Sequence, residues 1–596
     1  MPRLKCNLIQ TILLLLLLLA VSSIYLLTTS TTYNFGSDTS CYIGLARSLA
    51  NGSGYYFNGR LHTQYPPGFP LYLTLPVYFV GTDIGPLQRF IAVTAIAVLL
   101  VTFGYYVKRD FRLRLLPCVL MVISPTFYSL ATSNVSSEFP YTLASVAFLY
   151  WFESLSTYRT GAARVTSILG GVLLLLATLA FRAIGVAMLS ALLLTAVTLR
   201  VRHNRTHAHR NNILIVIVLI AAVGFAYFVA WGYWTTSRVS PFYPGEFMQS
   251  YLTQVRLQDP HRPDLGSASL YTIVARIPSN LLCATGHGAE LLSNIPWIKV
   301  RWGSPIIIIT LCLCALGLWR EFMRTNPLAA WYTVSYVSIL AIWPFNEGQR
   351  FVLPLFPLLF LFAGYGIVSI SRLIVSHTLD FVRQAGLAIG ALGVILWFLE
   401  IKYTSLLFSR QDWVNGMVWA ALILICLIPR RIQEQTLVLL RRSPITWMWT
   451  LILVFAVAYS AMGVQAISRQ VAENLFPDTT RMLHAPTMYA ATWLAQNTSP
   501  GDTVMAQNAN SVHFTTGRLV IPLPVTNDPD LLRLAVMLTH PRFLVINDPQ
   551  KDPYFLPEEV DRLKILMELF PDQLCLRHQY SGGRIFEFME CRETFQ

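Results

Sequence analysis

The chain has 596 residues, of which 54% are hydrophobic and only 12% are charged. Because soluble domains usually carry about 25% charged residues, this composition excludes an ordinary soluble protein and indicates an integral membrane protein with room for a second domain. The net charge of +14 is unevenly placed: the first 469 residues hold 34 Lys/Arg against 15 Asp/Glu, and the remainder hold 10 against 15. Basic residues in a membrane body usually mark cytoplasmic loops, so nucleic-acid binding is the weaker interpretation.

Apolar segments along most of the chain predict thirteen transmembrane helices. The first follows a short basic N-terminus and is taken as an anchor, because no convincing cleavage site follows it. A further apolar stretch, residues 66–80, holds four prolines and is predicted to lie in or dip into the membrane interface. The thirteen spans lie near residues 8–29, 85–107, 113–131, 139–156, 165–181, 183–199, 212–232, 304–320, 328–345, 351–370, 384–402, 413–429 and 446–465.

With residues 66–80 left out of the count, six loops that together hold 18 Lys/Arg fall on one side of the membrane. The excess of Lys/Arg predicts that this side is the cytoplasm, with the N-terminus inside and the C-terminus outside. We therefore expect a cytoplasmic (inner) membrane protein whose outer loops 30–84 and 233–303 face away from the cytoplasm. The six basic loops are residues 108–114, 158–164, 200–210, 320–324, 371–383 and 429–442.

The segment "DTSCYIGLARSLANG" follows the first span. Its apolar residues Tyr42, Leu45, Ala46 and Leu49 have the spacing of one helix face. Asp38 stands at the start of this amphipathic helix. It is either only a helix cap or a functional carboxylate on the outer side of the membrane.

Four more charged residues are predicted at outer ends of spans. Glu138 either favours a helix N-terminus or is functional, because carboxylates at membrane depth are costly. Arg182 either extends to the interface or binds a phosphate with its planar fork. Glu347 and Arg350 either pair with each other or face an anionic headgroup.

The stretch "HTQYPPGFP" brings His62 and Tyr65 to the same outer side. A lone histidine is more often a surface residue than a ligand. The outer regions contain no HExxH, CxxC, GxSxG or Walker motif, so zinc or serine proteolysis and nucleotide-driven transport are unsupported. Cys575 and Cys591 flank a predicted hairpin turn and could form a disulfide in an oxidising compartment.

The division into domains follows the change in composition. Residues 1–469 are predicted to form the membrane domain, and residues 470–596 a small extracytoplasmic α/β domain. In that domain "TMYAATWLAQN", "DPDLLRLAVMLTH" and "PEEVDRLKILMELF" predict helices, "DTVMAQ" and "RFLVIND" predict strands, and "LCLRHQY-SGG-RIFEFME" predicts a hairpin. It carries no recognisable catalytic set, and acceptor binding, lid support and stability all remain open as its role.

The order of these motifs resembles the dolichyl-phosphate-mannose protein mannosyltransferase-like family, which includes the aminoarabinose transferases of lipid A, among the GT-C glycosyltransferases. The resemblance covers about residues 8–370. The motifs that carry it are "D-x-x-x-Y-x-x-x-A-x-x-L-x-x-G" from Asp38, "YPPGFPL" at 65–71, acid-Phe-Pro at 138–140, "ATLAFRAIG" at 177–185 and "EGQRFVLPLFPLL" at 347–359.

The resemblance implies a mainly α, polytopic membrane enzyme of the GT-C fold that takes a sugar from a polyprenyl-phosphate donor on the extracytoplasmic face. The implied acceptor is a lipid, a glycan or a protein. The family's catalytic acid maps onto Asp38, its second acid onto Glu138 and its later arginine onto Arg350. An acid-Lys pair of the aminoarabinose transferases is replaced here by Gln64-Tyr65. That replacement puts in doubt a divalent-cation site like that of the aminoarabinose transferases. Glu138 is the candidate ligand for such a site.

We expect Asp38 to act as general base in an inverting transfer, while Arg350 or Arg182 stabilises the leaving phosphate. Glu347, Tyr65 and His62 are further candidates for the donor site. A transporter of lipid-linked sugars is the main alternative, but it favours charges in mid-span and internal symmetry. A non-catalytic scaffold is the third class, and it would tolerate loss of Asp38.

Overall fold

The computed structural model describes most of the chain. The predicted spans near 384–402 and 413–429 lie almost wholly outside the described residues, as do Glu347 and Cys591. The described residues are 2–32, 36–111, 113–155, 162–202, 207–244, 246, 251–259, 265–293, 305–345, 348–376, 394, 420, 424, 444–477, 485–524, 526–547 and 557–589.

The membrane body is helical, and its described helices follow the predicted apolar segments. We number the described elements in chain order. They are α1 (Pro2–Leu27), α2 (Ser37–Ala50), α3 (Gly68–Val80), α4 (Ile84–Lys108), α5 (Leu115–Val122), α6 (Pro125–Ser133), α7 (Glu138–Leu155), α8 (Ala162–Phe181), α9 (Val186–Val201), α10 (His207–Ser237), α11 (Tyr251–Arg256), α12 (Leu270–Ser293), α13 (Pro305–Phe322), α14 (Leu328–Ile342), α15 (Gln349–Val352), α16 (Phe356–Ser376) and α17 (Pro444–Leu475).

Within the described residues, four helical stretches are long and apolar enough to cross a membrane. They are Ile84–Lys108, Ala183–Val201, Leu214–Ser237 and Gln349–Ile370. A fifth crossing would come from α5 and α6 together, which meet at an angle of 60°. The polytopic membrane fold is therefore confirmed, whereas the total of thirteen spans stays a prediction.

Proline residues explain two helices that are not straight membrane spans: the break before Pro125 and the short helix α3. Residues 113–131 were expected to form one helix, but the chain breaks before Pro125, which lacks an N–H and disfavours helical backbone at Ser124. The proline-rich stretch 66–80 forms α3 over thirteen residues. At about 1.5 Å per residue α3 is roughly 20 Å long, too short to cross a hydrocarbon core of about 30 Å.

Helix α2 is the predicted amphipathic segment. It is buried on several sides, because Cys41, Ile43, Leu45 and Ala46 have no exposed surface. A hairpin follows, in which β1 (Tyr56–Phe57) pairs with β2 (Arg60–Leu61). Its two turn residues, Asn-Gly at 58–59, both have positive φ, as a tight primed hairpin turn requires.

The C-terminal domain is a five-stranded mixed sheet in the order β4-β3-β5-β7-β6. Strand β3 is parallel to β4 and β5, and the remaining pairs are antiparallel. The predicted helices and strands are present, but the sequence missed α19 and β4. Its elements are α18 (Ala485–Asn497), β3 (Val504–Ala506), α19 (Ala509–Thr516), β4 (Val520–Pro522), α20 (Pro529–Thr539), β5 (Phe543–Asn547), α21 (Pro557–Leu569), β6 (Leu574–Tyr580) and β7 (Gly583–Phe588).

Both faces of this sheet are covered, which accounts for the continuous apolar runs of β3 and β5. Val504 and Val545 face one buried cluster with α18, whereas Met505 and Leu544 face another with α20 and α21. Helix α17 runs through the predicted boundary at residue 470, and the sheet domain begins with α18. Cys575 is disulfide-bonded.

Candidate active site

Four charged side chains that the sequence predicted separately meet at one end of the membrane body. Arg350 of α15 donates to Asp38 of α2, with its Nη2 3.2 Å from Asp38 Oδ2. Its Nε also donates to Oε1 of Glu138, the first residue of α7. Arg182, just after α8, donates to the same Oε1 with a distance of 2.5 Å from its Nη1. We call Asp38, Glu138, Arg182 and Arg350 the outer cluster.

Exposure separates the members of the outer cluster. The Asp38 and Arg350 side chains are 34% and 27% exposed, whereas Arg182 is 14% and Glu138 is 0% exposed. A buried carboxylate is tolerable only when cations compensate it, and here two guanidinium groups share one Glu138 oxygen. Glu138 therefore orients both arginines, while Asp38 and Arg350 remain partly exposed.

Tyr65 is the second hydrogen-bond donor to the Asp38 carboxylate. Its hydroxyl donates to Asp38 Oδ1 at 2.5 Å, so each carboxylate oxygen of Asp38 has one fixed donor. Burial raises the pKa of Tyr65, and the charge on Asp38 raises it further, so the phenol stays protonated and can donate. Tyr42 packs on the Tyr65 ring with centroids 4.7 Å apart. The side chain of Asp38 thus reaches across to other elements instead of only capping its own helix.

His62 lies beneath this site rather than on the surface, where lone histidines are more common. It is 3% exposed, and its Nε2 accepts from the Tyr65 backbone N–H at 3.0 Å. Its Nδ1 is 3.8 Å from the Cys41 sulfur. Burial lowers the pKa of His62 to about 3, with a contribution from Arg60. The neutral ring therefore fixes the loop that presents Tyr65, and it does not touch the outer cluster.

A polar group that the sequence analysis missed lies beside Arg350. Glu290 Oε2 is 3.1 Å from His287 Nδ1 on the same helix, α12, and it accepts from Gln349 Nε2 at 2.9 Å. The side-chain oxygen of Gln349 in turn accepts from Thr126. A histidine and a glutamate in the otherwise apolar run "LLCATGHGAELLS" are the signal that could have indicated it.

An apolar cavity opens next to this polar group. It lies between α12, α13, α14 and α16, and its wall includes Gly288, Val352 and Leu355. Val352 is two residues from Arg350, so the cavity and the outer cluster are adjacent along the chain. Such a wall suits a hydrocarbon chain rather than a polar ligand.

The described residues do not offer an evident metal centre. Within them, no three His, Cys, Asp or Glu side chains come together as a ligand set. Glu138, the candidate ligand, already shares its Oε1 with two guanidinium groups, which would repel a divalent cation placed beside it. Oε1 of Glu138 is therefore already neutralised by the two arginines.

Comparisons with known proteins bear on the fold. No protein-family model matches this sequence, and no curated protein matches it. The structure is similar to ArnT from Cupriavidus metallidurans bound to undecaprenyl phosphate, with a TM-score of 0.51 and 12% identity over 96% of this chain and 97% of that one. It is also similar to the oligosaccharyltransferase AglB from Archaeoglobus fulgidus in complex with an inhibitory peptide and a dolichol-phosphate, with a TM-score of 0.49 and 10% identity over 98% and 75%.

Proposed function

We propose that this chain, an integral membrane protein with the GT-C fold, is a glycosyltransferase that moves a sugar from a polyprenyl-phosphate donor to a hydroxyl acceptor. The observation that supports this most is the accessible carboxylate of Asp38 next to the accessible guanidinium of Arg350. Transfer from a sugar phosphate needs a base for the acceptor and a cation for the leaving group. The two groups lie side by side here.

In the proposed reaction, Asp38 accepts the proton of the acceptor hydroxyl. The hydroxyl oxygen forms a bond to the anomeric carbon on the face opposite the phosphate, so the configuration at that carbon inverts. The bond from the anomeric carbon to the phosphate oxygen breaks, and its electron pair leaves with the polyprenyl phosphate. General-base catalysis of this kind is typically worth about 10²–10⁴-fold.

Arg350 and Arg182 are proposed to stabilise the charge that develops on the leaving phosphate. Both are held in place by Glu138, so their orientation is set before the substrate binds, which is what makes electrostatic stabilisation effective. Tyr65 keeps the Asp38 carboxylate directed to its position by donating to Oδ1. Glu347 lies outside the described part of the chain and stays a candidate for binding the donor.

Part of the donor's lipid chain is proposed to lie in the apolar cavity whose wall carries Val352 and Leu355, two and five residues from Arg350 in the chain. The sugar would then project toward Asp38. The basic loops predict that the site faces away from the cytoplasm. A lipid, a glycan or a protein can supply the acceptor hydroxyl, and the proposed chemistry needs no nucleic acid.

The direct test uses purified protein in lipid nanodiscs with a radiolabelled polyprenyl-phosphate sugar and envelope extracts as acceptors. We expect the wild type to release polyprenyl phosphate and transfer label to an acceptor, and Asp38→Asn to do both about 10²–10⁴-fold more slowly. A parallel series with a chelator and added Mg²⁺ or Zn²⁺ measures cation dependence. Movement of the intact donor across vesicle membranes without release would instead favour the transporter.

A further inference from the structure

The turn of the β1–β2 hairpin joins the membrane body to the C-terminal domain. Asn58 is 3% exposed, and its side chain meets the edge strand β4. Its Nδ2 donates to the Val520 carbonyl at 2.5 Å, and its Oδ1 accepts from the Val520 N–H at 2.9 Å. The side-chain amide thus pairs with β4 as a neighbouring strand would, and it covers an edge that would otherwise expose unpaired backbone groups.

A second contact brings α19 onto α2, the helix that carries Asp38. Ser511 Oγ is 3.1 Å from Ser40 Oγ in a buried setting. His513 Nε2 accepts from the Asn58 backbone N–H at 3.2 Å, while its Nδ1 is 2.6 Å from the Arg518 carbonyl. The imidazole is therefore neutral, with its proton on Nδ1.

The long outer loop adds a third contact at the same place. Arg60 of β2 forms a two-point ion pair with Glu246, with distances of 2.8 and 2.5 Å. Tyr243 packs in an apolar cluster of the C-terminal domain and donates to the Pro522 carbonyl at 2.9 Å. Hairpin, loop and strand β4 therefore form one connected unit above α2.

Helix α2 is consequently held from two sides. One side meets the membrane body, where Asp38 contacts Arg350 and Thr39 Oγ1 donates to the Val135 carbonyl at 3.1 Å. The other side meets the C-terminal domain through Ser40, two residues from Asp38. Gly44 leaves the room for the hairpin, because a Cβ there would lie 2.2 Å from the Phe57 ring.

We infer that Asn58 is a positioning residue for the transfer reaction: by holding β4 it keeps the C-terminal domain docked on α2 and thereby fixes the orientation of Asp38. This inference rests on the proposed function of Asp38. It gives the C-terminal domain, whose role the sequence left open, a part in catalysis through the orientation of Asp38.

Asn58→Gly tests the inference with little disturbance of the turn, because glycine adopts the positive φ of residue 58 while the amide is lost. A small misplacement of a reacting group can cost on the order of 10²-fold, so we expect kcat to fall by about 10- to 100-fold with little change in the KM of the donor. Thr515→Ala is the matched control, because this hydroxyl on α19 bonds only to the Ser511 carbonyl of its own helix among the described contacts. A kcat of Asn58→Gly equal to that of Thr515→Ala would overturn the inference.

A rescue experiment separates positioning from a general loss of structure. The Oγ atoms of Ser40 and Ser511 are 3.1 Å apart, so Ser40→Cys with Ser511→Cys should form a disulfide that locks the docked state. In the Asn58→Gly background, we expect oxidation of this pair to restore most of kcat and reduction to remove it again, with Ser40→Cys alone as control. A crosslink that forms without restoring kcat would contradict the inference.

Hydrogen exchange keeps the two proposals distinguishable. We expect the amides of α2 to exchange faster in Asn58→Gly than in the wild type, and at wild-type rates in Thr515→Ala. If the wild type transfers no sugar, the proposed function fails, and the exchange rates of α2 still decide whether Asn58 holds the docked state. Unchanged exchange of α2 in Asn58→Gly would overturn the inference by itself.

Discussion

Two clusters of two arginines and two carboxylates lie at opposite ends of the membrane body. The outer cluster contains Glu138, at the start of α7. The inner cluster contains Glu153, near the end of the same helix, about 22 Å away at 1.5 Å per residue. The members of the inner cluster are Arg109, Glu153, Glu321 and Arg324.

The difference between the two clusters is access to a carboxylate: Glu153 and Glu321 of the inner cluster are 13% and 0% exposed, although Arg324 is 37% exposed. In the inner cluster, Arg109 Nη1 lies 2.6 Å from Glu321 Oε1, and their side chains are 1% and 0% exposed. In the outer cluster, Asp38 and Arg350 keep 34% and 27% of their surface. The inner cluster ties the ends of α4, α7 and α13 together, whereas the outer cluster has a carboxylate and a guanidinium that are both accessible from outside the protein. Residue types alone do not separate a buried ion pair from an accessible one.

The largest expected effect is on turnover in the outer cluster. Asp38→Asn keeps the size of the side chain but removes the proposed base, so we expect kcat to fall by about 10²–10⁴-fold with unchanged thermal stability. Glu153→Gln in the inner cluster is the comparison and should turn over at the wild-type rate. Near-normal sugar transfer by Asp38→Asn would exclude the base role.

Arg350→Lys is expected to have the next largest effect. Lysine keeps the positive charge but cannot contact Asp38 and Glu138 with one planar fork, so we expect kcat to fall by about 10²-fold. Arg324→Lys in the inner cluster makes the same chemical change at a side chain that is 37% exposed, and it should have little effect. Equal activities of the two variants in the donor-release assay would show that only the charge of Arg350 matters.

Arg109→Gln should instead reduce stability. It leaves Glu321 buried without its main cation, which typically costs about 3–5 kcal/mol of unfolding free energy. We expect a lower midpoint of thermal unfolding in detergent and an unchanged kcat per folded molecule. A variant with the midpoint of the wild type would mean that the inner cluster contributes little to the fold.

The smallest expected effect concerns pH. Burial lowers the pKa of His62 to about 3, below an unfolded value of about 6.5, so the unfolded chain binds the extra proton first as the pH falls. The stability that neutral His62 contributes is therefore complete above about pH 6.5 and is lost as the pH falls toward 3. Unfolding midpoints between pH 7.5 and 4.5 should fall more steeply for the wild type than for His62→Gln. Parallel curves would contradict a buried neutral His62.

Local patterns in the sequence determined much of this molecule. Apolar length predicted the helices, amphipathic spacing placed Asp38 at the head of α2, and apolar patterns of helix and strand type predicted most of the C-terminal domain. These features could be predicted because each depends on residues within one element, where burial repeats with the period of the helix or strand. Strand β4 and helix α19 were missed because they are short, and "ANSVHFTT" has no strong apolar period.

Only the tertiary structure decided which charged residues meet and which remain accessible. Asp38 and Arg350 are 312 positions apart, and Asn58 and Val520 are 462 apart. Nothing local in the chain specifies such pairs. Helix packing fixes them, and it also buries Glu138 and His62 while leaving Asp38 open. The sequence by itself therefore determined which groups are present and at which ends of the helices they lie. The packing of distant elements determined how they are arranged, because ion pairing and exposure depend on distances between elements rather than on spacing within one.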